Sequence, residues 1–312
     1  MKKLMLVGTA MTLLGGCFQQ PDDNSIRDVL PEADSIQVKV PGAEVGATSS
    51  GVKSQGLVGQ TAEFYGLTRK VSRDLNGGAA VILGLVKAIT EYPVTSVEAG
   101  TWIWGPWREA LNPSEYRLTV SQDAAGDYHW ALEGRAKGSA VSFQPVVSGV
   151  ATPGRPHRGV GSFHMDFDVA ERLDPVGNDG VGQLDVSYDL ESNPRRVQMG
   201  FARPIGTQAV TFNYSYAEAD DGSGDFQFTV HGDLDDPGSS WEDAEVRSRW
   251  LASGAGRSDL KASGGDLGAA TVTGVECWSS SFGRVFWSDN MSWQPTEGDP
   301  AACAYQDVKL PE

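Results

Sequence analysis

Cations, histidine and cysteine are all scarce in this chain. Its 312 residues include 25 Lys or Arg against 41 Asp or Glu, a net charge of −16, with four histidines and three cysteines. A surface so short of positive charge repels nucleic acid and anionic head groups, which argues against a polyanion as partner. No apolar run approaches the ~20 residues of a membrane-spanning helix. There is no GxSxG, HExxH, CxxC or phosphate-binding glycine loop. The common hydrolase, zinc-protease, redox and nucleotide chemistries therefore have no motif to carry them, and no cofactor is expected.

What is present begins at the N-terminus. Lys2 and Lys3 precede an apolar run from Leu4 to Leu14, followed by Gly15, Gly16 and Cys17. A basic start, a short apolar core and small residues are the grammar of an export signal. "LGGC" also resembles a bacterial lipobox, with Leu14 three residues before the cysteine. The resemblance implies cleavage before Cys17, diacylglycerol on its thiol and acylation of the new amine, and several acyl chains anchor firmly where one is marginal. Phe18, where an aspartate would retain the protein, implies delivery to the outer membrane. The plainer alternative is a secretory signal with a chance cysteine.

An odd cysteine count in an exported chain needs a reason, and lipidation of Cys17 supplies it. Cys277 and Cys303 remain as a pair in an oxidising compartment, where a disulfide is expected. The alternative is two buried thiols. The bridge would close a loop of about 25 residues, a stabilisation of roughly 3 kcal/mol. Loss of residues 1–16 removes two lysines, taking the charge from −16 to −18.

Three segments follow: a signal peptide over 1–16, a flexible tether over 17–56, and a single β-rich domain over 57–312. The tether is rich in Pro, Asp, Ser and Gly, with only short apolar patches at "SIRDVLP" and "SIQVKV", too few to offset its ordering entropy. Phe64, Leu67, Val71 and Leu75 recur at helical spacing, and Asn76-Gly77-Gly78 is expected to break or bend that helix. "AAVILGLVKAITEY" then reads as a helix apolar on nearly every side, hence buried, and Pro93 ends it.

Beyond it the period is two. Tyr116, Leu118 and Val120 alternate with polar residues, as do Tyr128, Trp130 and Leu132, the series Phe163, Met165, Phe167 and Val169, and further runs out to Val230. Turn residues such as "DAAGD" and "DDGSGD" separate them at hairpin distances. The fold expected is α+β and β-dominated: a long curved antiparallel meander, an open or half barrel, packed on one buried helix plus a second amphipathic helix. The order of elements over 60–290 resembles the half-barrel of periplasmic lipoprotein carriers and related lipid-binding lipoproteins. That resemblance implies a hydrophobic ligand between helix and sheet. A transmembrane barrel is the competing reading, and it would place the apolar helix in a polar lumen.

The candidate sites are few. His164, Asp166 and Asp168 fall on one face if "SFHMDFDV" is a strand, but about 7 Å apart along it, and a solvated polar face is the plainer reading. His129 and His231 are lone imidazoles in similar settings. Asp233, Asp235 and Asp236 in "GDLDDPGSSWED", and the acidic turn Glu218 to Asp225, invite calcium. Neither carries the spaced ligands of an EF-hand loop, and hairpin turns favour Asp and Gly in any case. "SDLK" at 258–261 and "SDN" at 288–290 copy a penicillin-binding pattern without its KTG strand or its buried helix. Trp102, Trp104 and Trp107 in "TWIWGPW" are candidates for a ligand or partner surface, and Trp278, Trp287 and Trp293 gather near the expected disulfide. Trp104 and Trp287 read as core.

Three function classes follow. The preferred one is an outer-membrane-anchored envelope lipoprotein, non-catalytic and structural or interacting, its partners the membrane and other envelope proteins. The second is a carrier for a lipid or other hydrophobic ligand. The third, a secreted hydrolase, lacks its residues.

Overall fold

The structure is a computed structural model that describes residues 28–30, 33–42, 58–178, 180–233 and 240–306. The signal segment, Cys17, Asp235 and Asp236 lie outside the described residues.

A helix, α1 (Glu63–Thr90), leads into strands β1 (Ser96–Glu98), β2 (Thr101–Trp107), β3 (Ser114–Gln122), β4 (Tyr128–Ala136) and β5 (Gln144–Arg155). Strand β6 (Arg158–Asp166) runs into a short helix, α2 (Phe167–Leu173). The chain continues through β7 (Gln183–Asp189), β8 (Arg195–Ile205), β9 (Gln208–Glu218), β10 (Gly224–Gly232) and β11 (Glu242–Trp250). It ends with β12 (Gly256–Gly264), β13 (Thr271–Trp278), β14 (Arg284–Asp289) and β15 (Glu297–Gly298).

All fifteen strands form one sheet in sequence order, and each pairs antiparallel with its neighbours. The expected β-dominated meander, open and not closed into a barrel, is therefore the architecture found. Register is set by the apolar period, since a one-residue slip would turn every side chain to the wrong face. Trp102, Val120, Trp130, Gly149, Phe163 and Val186 face one another in turn from β2 to β7. The same row runs on through Met199, Tyr214, Phe228 and Val246. Leu118, Phe226 and Trp250 on this face have no exposed surface.

The chain covers its own apolar face. Tyr65, Leu83, Val86 and Ile89 of α1 are buried there with Val169 and Ala170 of α2. So are Val29, Leu30, Ile36, Val38 and Val40. Residues 28–42, expected to belong to the tether, are thus part of the domain. The two apolar patches supply the reason, since Ile36, Val38 and Val40 alternate and bury one face. Backbone bonds fix the segment: Lys39 N–H donates to the Tyr216 hydroxyl at 3.1 Å, and His157 N–H to the Asp28 carbonyl at 2.8 Å.

Three further expectations are corrected. Asn76-Gly77-Gly78 does not break the helix, and α1 runs through it for 28 residues, about 42 Å. The Asn76 side chain accepts from Val38 N–H at 2.8 Å and donates to the Val38 carbonyl at 2.9 Å, so a tertiary clamp holds the weak point. Residues Phe167 and Val169 are helical, because the Asp166 carboxylate caps α2 by accepting from Val169 N–H at 2.9 Å. The helix expected to be buried on nearly every side is buried on one side only: Leu85 is 48% exposed while Val86 beside it is 1% exposed. An amphipathic α1 lying on one face of the sheet accounts for the difference.

The disulfide Cys277–Cys303 is formed, with Cα atoms 5.3 Å apart. It ties the end of β13 to the C-terminal 3-10 turn Pro300–Ala302.

Candidate functional site

The residues singled out in the sequence do not converge. Trp102 and Trp104 are buried on the apolar face, and Trp107 is half-buried against the same core. Trp278 and Trp287 are buried as well, while Trp293 is exposed. Asp166 is committed to its cap, and Asp168 accepts from Gly182 N–H at 3.1 Å. With α2 beginning at Phe167, these two carboxylates no longer share a strand face with His164. Asp233 follows β10 directly. Among the described residues, no three His, Cys, Asp or Glu side chains gather to hold a metal. Ser258 and Lys261 sit three apart on β12, hence on opposite faces. Ser258 instead joins a buried hydroxyl chain with Ser248 at 2.9 Å, which continues to Thr68 at 2.6 Å.

Each strand histidine is matched to one aspartate. His164 Nδ1 lies 2.8 Å from Asp185 Oδ1, and His231 Nδ1 lies 2.8 Å from Asp243 Oδ1, both pairs directly opposite across neighbouring strands. His129 Nε2 lies 2.9 Å from Asp123 Oδ2 in the β3–β4 turn. That contact, helped by backbone N–H donors, holds the Asp123 carboxyl below the ordinary aspartate range.

The open concavity is on the polar face, the side of the sheet away from α1. A hollow of about 940 Å³ crosses the middles of eight consecutive strands, β3 to β10. Its lining includes Ser148, Ser162, Ser187, Gln198, Asn213 and Ser215. Among the described residues, none of these six side chains has a hydrogen-bond partner within the protein. Charged residues stand at its flanks and are neutralised there, as in Arg117–Glu133 at 2.8 Å and Arg247–Asp225 at 2.7 Å. Asp185, the carboxylate within the lining, is the one paired with His164.

No family model, no curated protein and no solved structure matches the chain. The functional reading therefore rests on this surface alone.

Beside the hollow, a smaller one of about 480 Å³ lies under the β4–β5 loop. Phe143 from that loop packs between the Arg117 and Arg135 guanidiniums, 4.3 and 4.2 Å from its ring centre. Glu115, with no exposed side-chain surface, sits between Arg135 and Arg108. Its hydrogen bond from Arg135, then that from Arg108, lowers its carboxyl below the ordinary glutamate value despite desolvation. A depressed folded-state value stabilises the fold at pH above the unfolded carboxylate value, and the contribution is lost as pH falls through the folded one. Glu115→Gln is accordingly expected to be less stable than wild type at pH 7, with the gap closing toward pH 3. Urea midpoints measured at both pH values check this, and a gap independent of pH would refute it.

The hollow was not anticipated, yet a signal existed. On β5 to β9 the wet positions at the strand centres hold Ser148, Ser162, Ser187, Gln198, Gly200, Asn213 and Ser215, with Val150, His164 and Asp185 between them, where a plain solvated face would carry Lys and Glu.

Proposed function

We propose that the chain is a lipid-anchored protein of the bacterial cell envelope whose domain binds without catalysing, with the concave polar face as its working surface. The observation that supports this is which side of the sheet is open. The apolar side is filled by α1, α2 and residues 28–42, whereas the polar side presents a hollow of about 940 Å³. A carrier of hydrophobic cargo needs the reverse arrangement, a lined apolar cavity between helix and sheet. An enzyme needs titratable groups converging on one point, and the hollow offers mainly hydroxyls and amides, its titratable groups being His129 and the His164–Asp185 pair.

The anchor rests on Cys17 and the residues before it. Cys17→Ser is expected to abolish palmitate labelling and to move the protein from the membrane to the aqueous fraction. A variant that still pelleted with membranes and resisted carbonate extraction would overturn the anchor. Mass spectrometry of the solvent extract of the native protein separates binding module from carrier, because a stoichiometric copurified lipid would favour the carrier.

A further inference from the structure

Most of the polar face keeps its side chains busy with one another. Arg117 pairs with Glu133, Arg247 with Asp225, Gln227 with Glu245 and His231 with Asp243. The centre of the hollow departs from this pattern. Ser162, Ser187, Gln198, Asn213 and Ser215 line it with no internal partner, and every hydroxyl and amide among them both donates and accepts. In a chain of net charge −16, the lining of this strip holds no Lys, Arg or Glu, and its one carboxylate, Asp185, lies 2.8 Å from His164.

From this geometry we infer that the hollow is a binding site for an uncharged, linear glycan, lying across the strands; the inference rests on the non-catalytic binding reading above and names its ligand class. Length fits a chain. Eight strands at a spacing of about 4.8 Å give a track of roughly 34 Å, room for several sugar units. Chemistry fits as well, because a neutral sugar presents hydroxyls that donate and accept, with apolar C–H patches between them. Ala131 and Val150, both in the lining, meet such patches.

Other ligand classes fit less well. A peptide recognised by strand addition needs a free sheet edge, and all eight strands here are already paired on both sides. A nucleic acid or anionic polysaccharide needs cations, and Arg117 and Arg247 at the flanks are held by carboxylates. A lipid tail needs an apolar wall.

The experiment titrates the detergent-solubilised full chain with maltohexaose, cellohexaose and chitohexaose in its N-acetylated form. Heparin and a fatty acid serve as comparisons. Saturable binding of at least one neutral hexasaccharide at millimolar concentration or below is expected. Gln198→Ala and Asn213→Ala should each weaken it roughly three- to tenfold, the effect of one lost hydrogen bond. Ser187→Trp, at an exposed position, should block it with the urea midpoint unchanged. Leu111→Ser, at a fully exposed position of the β2–β3 loop, should leave it unaltered.

Absence of binding by all three neutral sugars would overturn the inference, as would heparin binding in preference to them, or sugar binding indifferent to Gln198, Asn213 and Ser187. Hydrolysis of a bound hexasaccharide would uphold the site and overturn the non-catalytic reading. Stoichiometric fatty acid binding unaffected by Ser187→Trp, without sugar binding, would overturn both.

Discussion

Glu276→Ala is expected to lower the free energy of unfolding by about 3–5 kcal/mol, the loss that follows when one partner of a buried ion pair is removed. Glu276 and Arg284 have no exposed side-chain surface, and Arg284 Nε donates to Glu276 Oε1 at 2.7 Å. The same carboxylate serves the start of α1. Ala62, in the cap position, offers no side-chain acceptor. Glu276 takes over by accepting from Glu63 N–H at 2.9 Å and from Phe64 N–H. One residue of β13 thus satisfies helix donors that would otherwise be orphaned, complements the positive end of the helix dipole and neutralises a buried guanidinium. Burial pushes the Glu276 carboxyl above the ordinary glutamate value, and Arg284 and the helix N–H groups pull it back.

Arg284 also donates to Gln294 at 2.9 Å and lies 3.5 Å from Glu63, so the Ala variant keeps part of its compensation. Glu276→Gln, which retains an acceptor, should lose less than Ala. The double substitution Glu276→Leu with Arg284→Met should recover much of the loss, because the uncompensated charge goes with it. Urea midpoints at unchanged denaturant slope decide the matter. An Ala variant within ~0.5 kcal/mol of wild type, the range of an ordinary surface change, would refute this account.

The sheet was legible in the sequence because period two is a local property. Tyr128, Trp130 and Leu132 must share a face wherever the strand lies, and Tyr116, Leu118 and Val120 across β3 show the same alternation. Elements decided by distant partners were not legible. Asn76 ahead of two glycines reads as a break until Val38 is seen to clamp it. The run Phe163, Met165, Phe167, Val169 satisfies period two throughout, and only the Asp166 cap shows where strand becomes helix. Residues 36–40 have the alternation of a buried segment inside a composition that argues for disorder, and the buried face prevailed. The location of the hollow depends on twist accumulated over eight strands, which no single strand records. The sequence records instead its chemistry, in the serines and amides that stand where Lys and Glu would on β5 to β9, around the one pair His164 and Asp185.

The second large effect lies where β10 to β13 cross. Gly224 faces Trp250, Trp250 faces Gly256, and Gly256 faces Trp278. Glycine inside a strand weakens it, and here each aromatic ring lies over the glycine beside it. A Cβ on Gly224 would stand 2.3 Å from the Trp250 ring, and one on Gly256 would stand 2.4 Å from the Trp278 ring. Trp250 has no exposed surface, donates its indole N–H to the Gly222 carbonyl at 3.2 Å and stacks on Tyr216. Trp250→Ala is therefore expected to cost about 3–5 kcal/mol, as removal of a large buried ring does. Gly224→Ala alone should cost about 1–3 kcal/mol, through overpacking against that ring. The two changes touch the same space, so they should not add. Once Trp250 is gone, the methyl that Gly224→Ala introduces occupies vacated volume and its penalty falls toward zero or reverses, a coupling of about 1–3 kcal/mol between neighbours in contact. A double-mutant cycle followed by urea denaturation measures it. Strict additivity would mean that the glycine is not there to admit the ring, and the ring-over-glycine account of these four strands would fail.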